Sequence, residues 1–161
     1  MDDHRDEAER LAALRAYGVL DTPNEPQFDA IVREAASIFR APIALISLVD
    51  EHRQWFKARV GLDAREMPRS ISFCTHAIQG AEVMVVPDAA EDERFANSPL
   101  VTGDPRIRFY AGAPLRAKNG RRIGTLCVID SRTRAEPDGP TRAKLQALAD
   151  RTVELFERRR G

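Results

Sequence analysis

The segment that most constrains the fold is "RIRFYAGAPLRAKNGRRIGTLCVID", residues 106–130. It holds two strand patterns separated by Asn119-Gly120, a dipeptide that favours tight hairpin turns. With Asn119 and Gly120 as the central turn residues, Lys118 faces Arg121 and the register follows. Leu115 lies opposite Gly124, Ala113 opposite Leu126, and Ala111 opposite Val128. One face of this hairpin is then apolar throughout. The other carries Arg108, Tyr110, Gly112 and Pro114 beside Ile123, Thr125, Cys127 and Ile129. A plain core face would be filled by large side chains, because interiors pack to crystal-like density. A mixed face with little bulk at its centre reads as the floor of a cavity.

The flanking sequence supplies partners for both faces. Residues 2–17 form a charged helix with a thin apolar stripe of Ala8, Leu11, Ala12 and Leu14, closed by Gly18. A second helix follows "DTPNEP". Thr22 and Pro23 are its start signals, Glu25 completes a capping box with Thr22, and Pro42 lies beyond its end. Phe28, Ile31, Val32, Ala35, Ile38 and Phe39 recur with helical period and define its buried face. "PIALISLVD" is apolar at successive positions, as in a central strand. "EHRQWFKARVGL" alternates, with Phe56, Ala58 and Val60 against Arg53, Trp55, Lys57 and Arg59, which suits an edge strand. Residues 70–80 form a short helix closed by Gly80, "EVMVVPD" is a third strand, and residues 89–104 are a long irregular segment. A final helix spans residues 139–160, with Leu145, Leu148, Thr152 and Leu155 in a seam widened by Ala149, Val153 and Phe156.

A chain of 161 residues fits one domain, 1–161, with terminal helices at 1–20 and 139–160. Lys plus Arg and Asp plus Glu number 25 each, so no general attraction to nucleic acid or to an anionic membrane is implied. No apolar run approaches the roughly 20 residues of a membrane span, and the acidic start is no signal peptide, so a cytoplasmic location is expected. Two cysteines, Cys74 and Cys127, make neither a disulfide framework nor a zinc-ligand spacing, and no metal site is expected.

The segments "LAALRAYGVLDTP", "FDAIVREAASIF", "APIALISLVDEHRQWFK", "ISFCTHAI", "VVPDAAEDERFANSPLV", "IRFYAGAPL" and "IGTLCVIDSRTR", in this order, resemble the GAF domain of bacterial sensors. The likeness covers roughly nine tenths of the chain. It implies an α/β (α+β) fold with an antiparallel sheet of five to six strands in the order 2-1-5-4-3. Terminal helices would lie on one face, and a ligand pocket under a short helix and loops on the other. It also implies an input module that binds a small molecule and passes a signal to a histidine kinase, a diguanylate cyclase or a related output.

Within "SISFCTHAI", Ile71, Cys74 and Ile78 share one face of the short helix, and Ser72, His76 and Gln79 another. Residues two apart on a helix point about 200° apart, so Cys74 and His76 form no nucleophile and base pair. Cys74 is most simply a small buried hydrophobe, with contact to a pocket ligand as the alternative. The resemblance places Phe73 and Cys74 at the pocket, with Asp88, Arg94 and Phe95 in the loop beside it. Asp88 can equally hold a turn through backbone amides, and Phe95 can anchor the loop. Arg108, Tyr110 and Cys127 join them from the hairpin, Tyr110 foremost, because an apolar ring with a polar tip suits a half-polar cavity. The bilin-attachment and cyclic-nucleotide signatures of the family are missing, so neither a tetrapyrrole nor any other cofactor is expected.

Two functions compete. The first is a non-catalytic sensing and dimerisation module, with a homodimer built from the terminal helices. The second is a thiol-based redox sensor or an enzyme like free methionine sulfoxide reductase, using Cys74 and Cys127. No catalytic constellation is recognised for the second.

Overall fold

The computed structural model describes residues 3–160; Met1, Asp2 and Gly161 lie outside the described residues, as does the expected helix start at residue 2. Helices α1 (Asp3–Ala16) and α2 (Pro26–Phe39) precede strands β1 (Ile43–Val49), β2 (Arg53–Val60) and β3 (Glu66–Pro68). Then come α3 (Phe73–Ala77), β4 (Met84–Val86), α4 (Pro99–Thr102), β5 (Phe109–Arg116), β6 (Arg122–Asp130) and α5 (Gly139–Arg160). Short 3₁₀ turns stand at Arg69–Ile71 and Ala89–Glu91. All strand pairs are antiparallel, in the order β3-β2-β1-β6-β5-β4. The order differs from the expected one by the short strand β3, which pairs with Arg53–Trp55 and removes β2 from the edge.

The sheet divides two apolar layers. On one side α1, α2 and α5 bury Leu14, Phe28, Val32, Leu145, Ala149 and Phe156 against Ile46, Leu48, Ala111, Leu115, Leu126 and Val128. On the other, α3, α4 and the connecting loops bury Phe73, Cys74, Phe95 and Leu100 against Leu45, Phe56, Tyr110 and Cys127. β1 and β6 are buried along almost their whole length because they face both layers.

The hairpin keeps the expected pairs Leu115–Gly124, Ala113–Leu126 and Ala111–Val128, but its tip differs. Gly120 N–H donates to Ala117 O and Ala117 N–H to Arg121 O, so Lys118, Asn119 and Gly120 form a three-residue loop. Only Gly120 there has positive φ, 84°, as such loops require of their last residue. The extra loop residue shifts the register by one, and Arg116 pairs with Arg122. A bulge at Ile123 then shifts it back. Ile123 is thereby turned from the expected cavity face into the helix-side core.

A second bulge splits β2. Ser47 pairs with Phe56 and Ile46 with Ala58, leaving Lys57 extra. Phe56 therefore faces α3, while Trp55, Ala58 and Val60 face the helices, which corrects the expected division of this strand. The Lys57 ammonium, fully buried, donates to Thr22 Oγ1 (2.8 Å), Pro23 O (2.6 Å) and Glu25 (2.6 Å). Glu25 is the N-cap residue of α2 but makes no side-chain cap, so the capping box does not form. Its carboxylate is held by Lys57 and by Arg159 of α5 (2.7 Å) instead.

The terminal helices spend their apolar stripes inside the domain. Leu11 and Leu14 of α1 are buried, as is Leu145 of α5. Leu148 and Leu155 remain half-covered, while Ala8 and Ala12 are exposed.

Candidate functional site

The site is built on α3, a helix too short to stand alone. Ser72 caps it by accepting from Cys74 N–H (3.0 Å), and the Ser72 hydroxyl is itself bonded to Gln54 of β2. This cap fixes Cys74 on the inward side, where its sulfur lies 3.2 Å from Tyr110 Oη and 3.0 Å from Thr125 Oγ1. His76, two residues on, is exposed and packs edge-on against Phe95 at 5.0 Å. The helical separation expected of Cys74 and His76 is therefore present.

Tyr110 reaches this position because the next residue on its face of β5 is Gly112. A Cβ at Gly112 would stand 2.3 Å from Tyr110 Oη, so the ring lies along the strand only over a glycine. Phe73 packs on Tyr110 at 5.3 Å and stacks on Phe95 at 4.0 Å. These rings fill most of the space that the sequence assigned to a pocket. The remaining cavity, among Leu45, Gln54, Cys74, Tyr110, Cys127 and Ile129, measures about 20 Å³. That is room for about one water, against roughly 300 Å³ or more for ordinary ligand sites.

The polar atoms around the cavity form a cluster closed off from solvent. Burial pushes the Cys74 thiol up, but hydrogen bonds from Cys127, Thr125 and Tyr110 act against it and hold it below its ordinary value. Donation to Cys74, together with burial, pushes the Cys127 thiol well up. Burial and then the neighbouring Cys74 charge do the same to Tyr110. Cys74 is thus the more acidic of two free thiols. Ser47, across from Thr125, turns a buried hydroxyl towards Cys74, close enough to help hold that thiol down, but completes no hydrogen bond of its own.

The structure gathers half of the expected residues. Phe73, Cys74, Tyr110 and Cys127 line the cavity, and Phe95 supports Phe73. Asp88 instead caps the turn Ala89–Glu91 through Ala90 N–H (3.1 Å). Arg94 is exposed, paired with Asp92 at 2.8 Å and lying over the Phe95 ring. Arg108 is spent on the carbonyls of Val101 and Ile107, 3.0 Å each. All three are absent from the cavity lining and make their bonds outside it. The residues that sequence reasoning missed are Ser47 and Gln54; Thr125 was placed on the cavity face and Ser72 on the short helix, but neither was named as a site residue. Their signal was a polar residue inside an apolar strand or at a helix cap.

A family match decides what this arrangement is: residues 24–154 fit the GAF domain family. The chain belongs to that family. GAF domains occur in signalling proteins as regulatory modules associated with output domains such as phosphodiesterases or kinases. The chain is 47% identical over 152 residues to the cyclic di-GMP phosphodiesterase PA2567 of Pseudomonas aeruginosa. That match covers 94% of this chain but spans only 24% of the relative's length. Among solved structures, the GAF domain of an Acinetobacter phosphoenolpyruvate-protein phosphotransferase is 18% identical with a TM-score of 0.69, covering 98% of this chain and 95% of that one. The free methionine-R-sulfoxide reductase of Neisseria meningitidis, solved with its substrate, is 19% identical with a TM-score of 0.67, covering 97% and 92%. At such identities these two structures establish the GAF fold alone. No helix among the described residues is long and apolar enough to cross a membrane.

Proposed function

We propose that this chain is a non-catalytic input domain that sets the activity of an output domain of the cyclic di-GMP phosphodiesterase kind. The observation that carries the reading is the solvent-free polar cluster beneath α3, with the Ser47 hydroxyl unpartnered at its floor. A buried hydroxyl without a partner costs about 1–3 kcal/mol, and a small polar ligand that reached it would recover part of that. Such a ligand enters only when α3 or the segment over residues 87–108 moves, since about 20 Å³ admits nothing larger than water. Ligand entry and a change of shape are then one event, which is what a sensor requires. Catalysis by Cys74 or Cys127 has little support, because both sulfurs are buried where no substrate reaches them. Pairing with a second copy through α5 belongs to the same reading and draws on the half-covered Leu148 and Leu155.

A chimera tests the regulatory role. This chain replaces the matching 152 residues of the Pseudomonas phosphodiesterase, and hydrolysis of cyclic di-GMP is followed with Ser47→Ala and Tyr110→Phe variants. Altered hydrolysis in folded variants supports an input role. Rates indifferent to both substitutions, with the fold intact, overturn it.

A further inference from the structure

The pocket-side helix α3 and the terminal helix α1 lie on opposite sides of the sheet, yet both ends of α3 are tied to α1. At the leading end Arg69 is the link. Its carbonyl accepts from Ser72 N–H (3.0 Å) and from Thr75 Oγ1 (3.2 Å), so it holds the first turn of α3. Its guanidinium meets Glu7 of α1 at 2.5 Å. Glu7 is gripped in turn by Arg10 through two bonds of 2.9 Å, and Arg10 reaches the carbonyl of Val49 at the end of β1 (2.6 Å).

At the trailing end the arms are two consecutive hairpin residues. Arg122 donates to the carbonyls of Ile78 (2.5 Å) and Gln79 (3.2 Å), just past α3. Arg121 pairs with Glu9 and, at 3.3 Å, with Asp6 of α1. An open groove of about 660 Å³ runs between the two ties, so α1 and α3 meet here through charge rather than through packed side chains.

We propose that these two arginine ties make α1 the output lever of the α3 layer. When α3 lifts, the grips at both its ends are pulled, and α1 loses its two links to the α3 layer: Glu7 keeps only Arg10 and Glu9 only Arg5. The first half of α1 then loosens while α5 keeps its packing on the sheet. This rests on the input-domain reading, and it names the element by which the signal leaves. Arg69 and Arg121 act here as positioning residues.

The test uses the whole 161-residue chain, with Glu7→Gln, Arg69→Gln, the double variant and Arg121→Gln. Site-resolved labelling of Cys74 by N-ethylmaleimide reports opening of α3, and amide hydrogen exchange reports α1. Glu7→Gln changes only α1, yet it should speed Cys74 labelling about two- to fivefold, the range for a partly exposed ion pair. Arg69→Gln should raise exchange in α1 by a similar factor, and Arg121→Gln should act in the same direction. The double variant should do no more than the stronger single, because both changes break one tie. Unchanged Cys74 labelling in Glu7→Gln, single effects that multiply in the double variant, or a matching rise of exchange in β6 would each overturn the proposal. No output domain takes part, so this result and that of the chimera stand or fall separately.

Discussion

At the scale of single residues, the pocket-side layer turns on which groups share the Cys74 sulfur. Cys74→Ala removes a partner from both Tyr110 and Thr125. It should cost about 1–3 kcal/mol in urea unfolding, with Cys74→Ser recovering most of the loss. Gly112→Ala should be comparably harmful, because the new methyl group collides with a ring held between Phe73 and the sheet. Glu7 offers a test by pH. The Arg10 hydrogen bonds, outweighing the cost of burial, hold its carboxyl down to about 2 from an ordinary 4.5. A group depressed by folding stabilises above its unfolded value and loses that contribution as pH falls through the folded one. Thermal unfolding of Glu7→Gln should therefore start below the wild type at neutral pH. The two curves should converge between pH 4.5 and about 2.

At the scale of elements, β2 shows what a sequence conceals. Its alternation of apolar and charged residues is real, but the bulge at Lys57 hands Phe56 to one layer and Ala58 to the other. A bulged residue carries no side-chain signature of its own, so periodicity alone assigns a single face. Lys57→Met should cost about 1–3 kcal/mol by calorimetry, since Thr22, Pro23 and Glu25 lose a buried donor while Glu25 keeps Arg159. The helices and central strands were legible because their apolar periods span many residues. Tyr110, Cys74 and Cys127 were legible because they stand out on a hairpin face or a short helix. Asp88, Arg94 and Arg108 lie outside the cavity lining, a placement hidden in the sequence because a charged side chain in a loop reads the same whether it faces a cavity or bonds its neighbours. Ser47 went unnoticed because a lone hydroxyl hardly disturbs an apolar strand.

For the whole molecule, the sheet is a partition between a helix-side core and a smaller pocket-side core, joined at one end by the α1 charges. Hydrogen exchange should be slowest in β1 and β6, which are covered on both sides, and faster in α3. The apolar surface left for a second copy is modest, since Leu11, Leu14 and Leu145 are already buried. If α5 nonetheless pairs two copies, Leu148→Glu with Leu155→Glu should abolish the dimer in sedimentation at tens of micromolar. A wild type that sediments as a monomer removes that surface from the account. The hairpin tip has a consequence for how such a chain can change over generations. The loop at Lys118–Gly120 and the bulge at Ile123 behave like two opposite frameshifts in a gene, each ruinous alone and silent together. Substitutions that recast this loop as a two-residue turn at Asn119-Gly120, with the length of the chain unchanged, must straighten the bulge as well. Otherwise Thr125 and Cys127 trade places with Gly124 and Leu126, and each core inherits the other's lining.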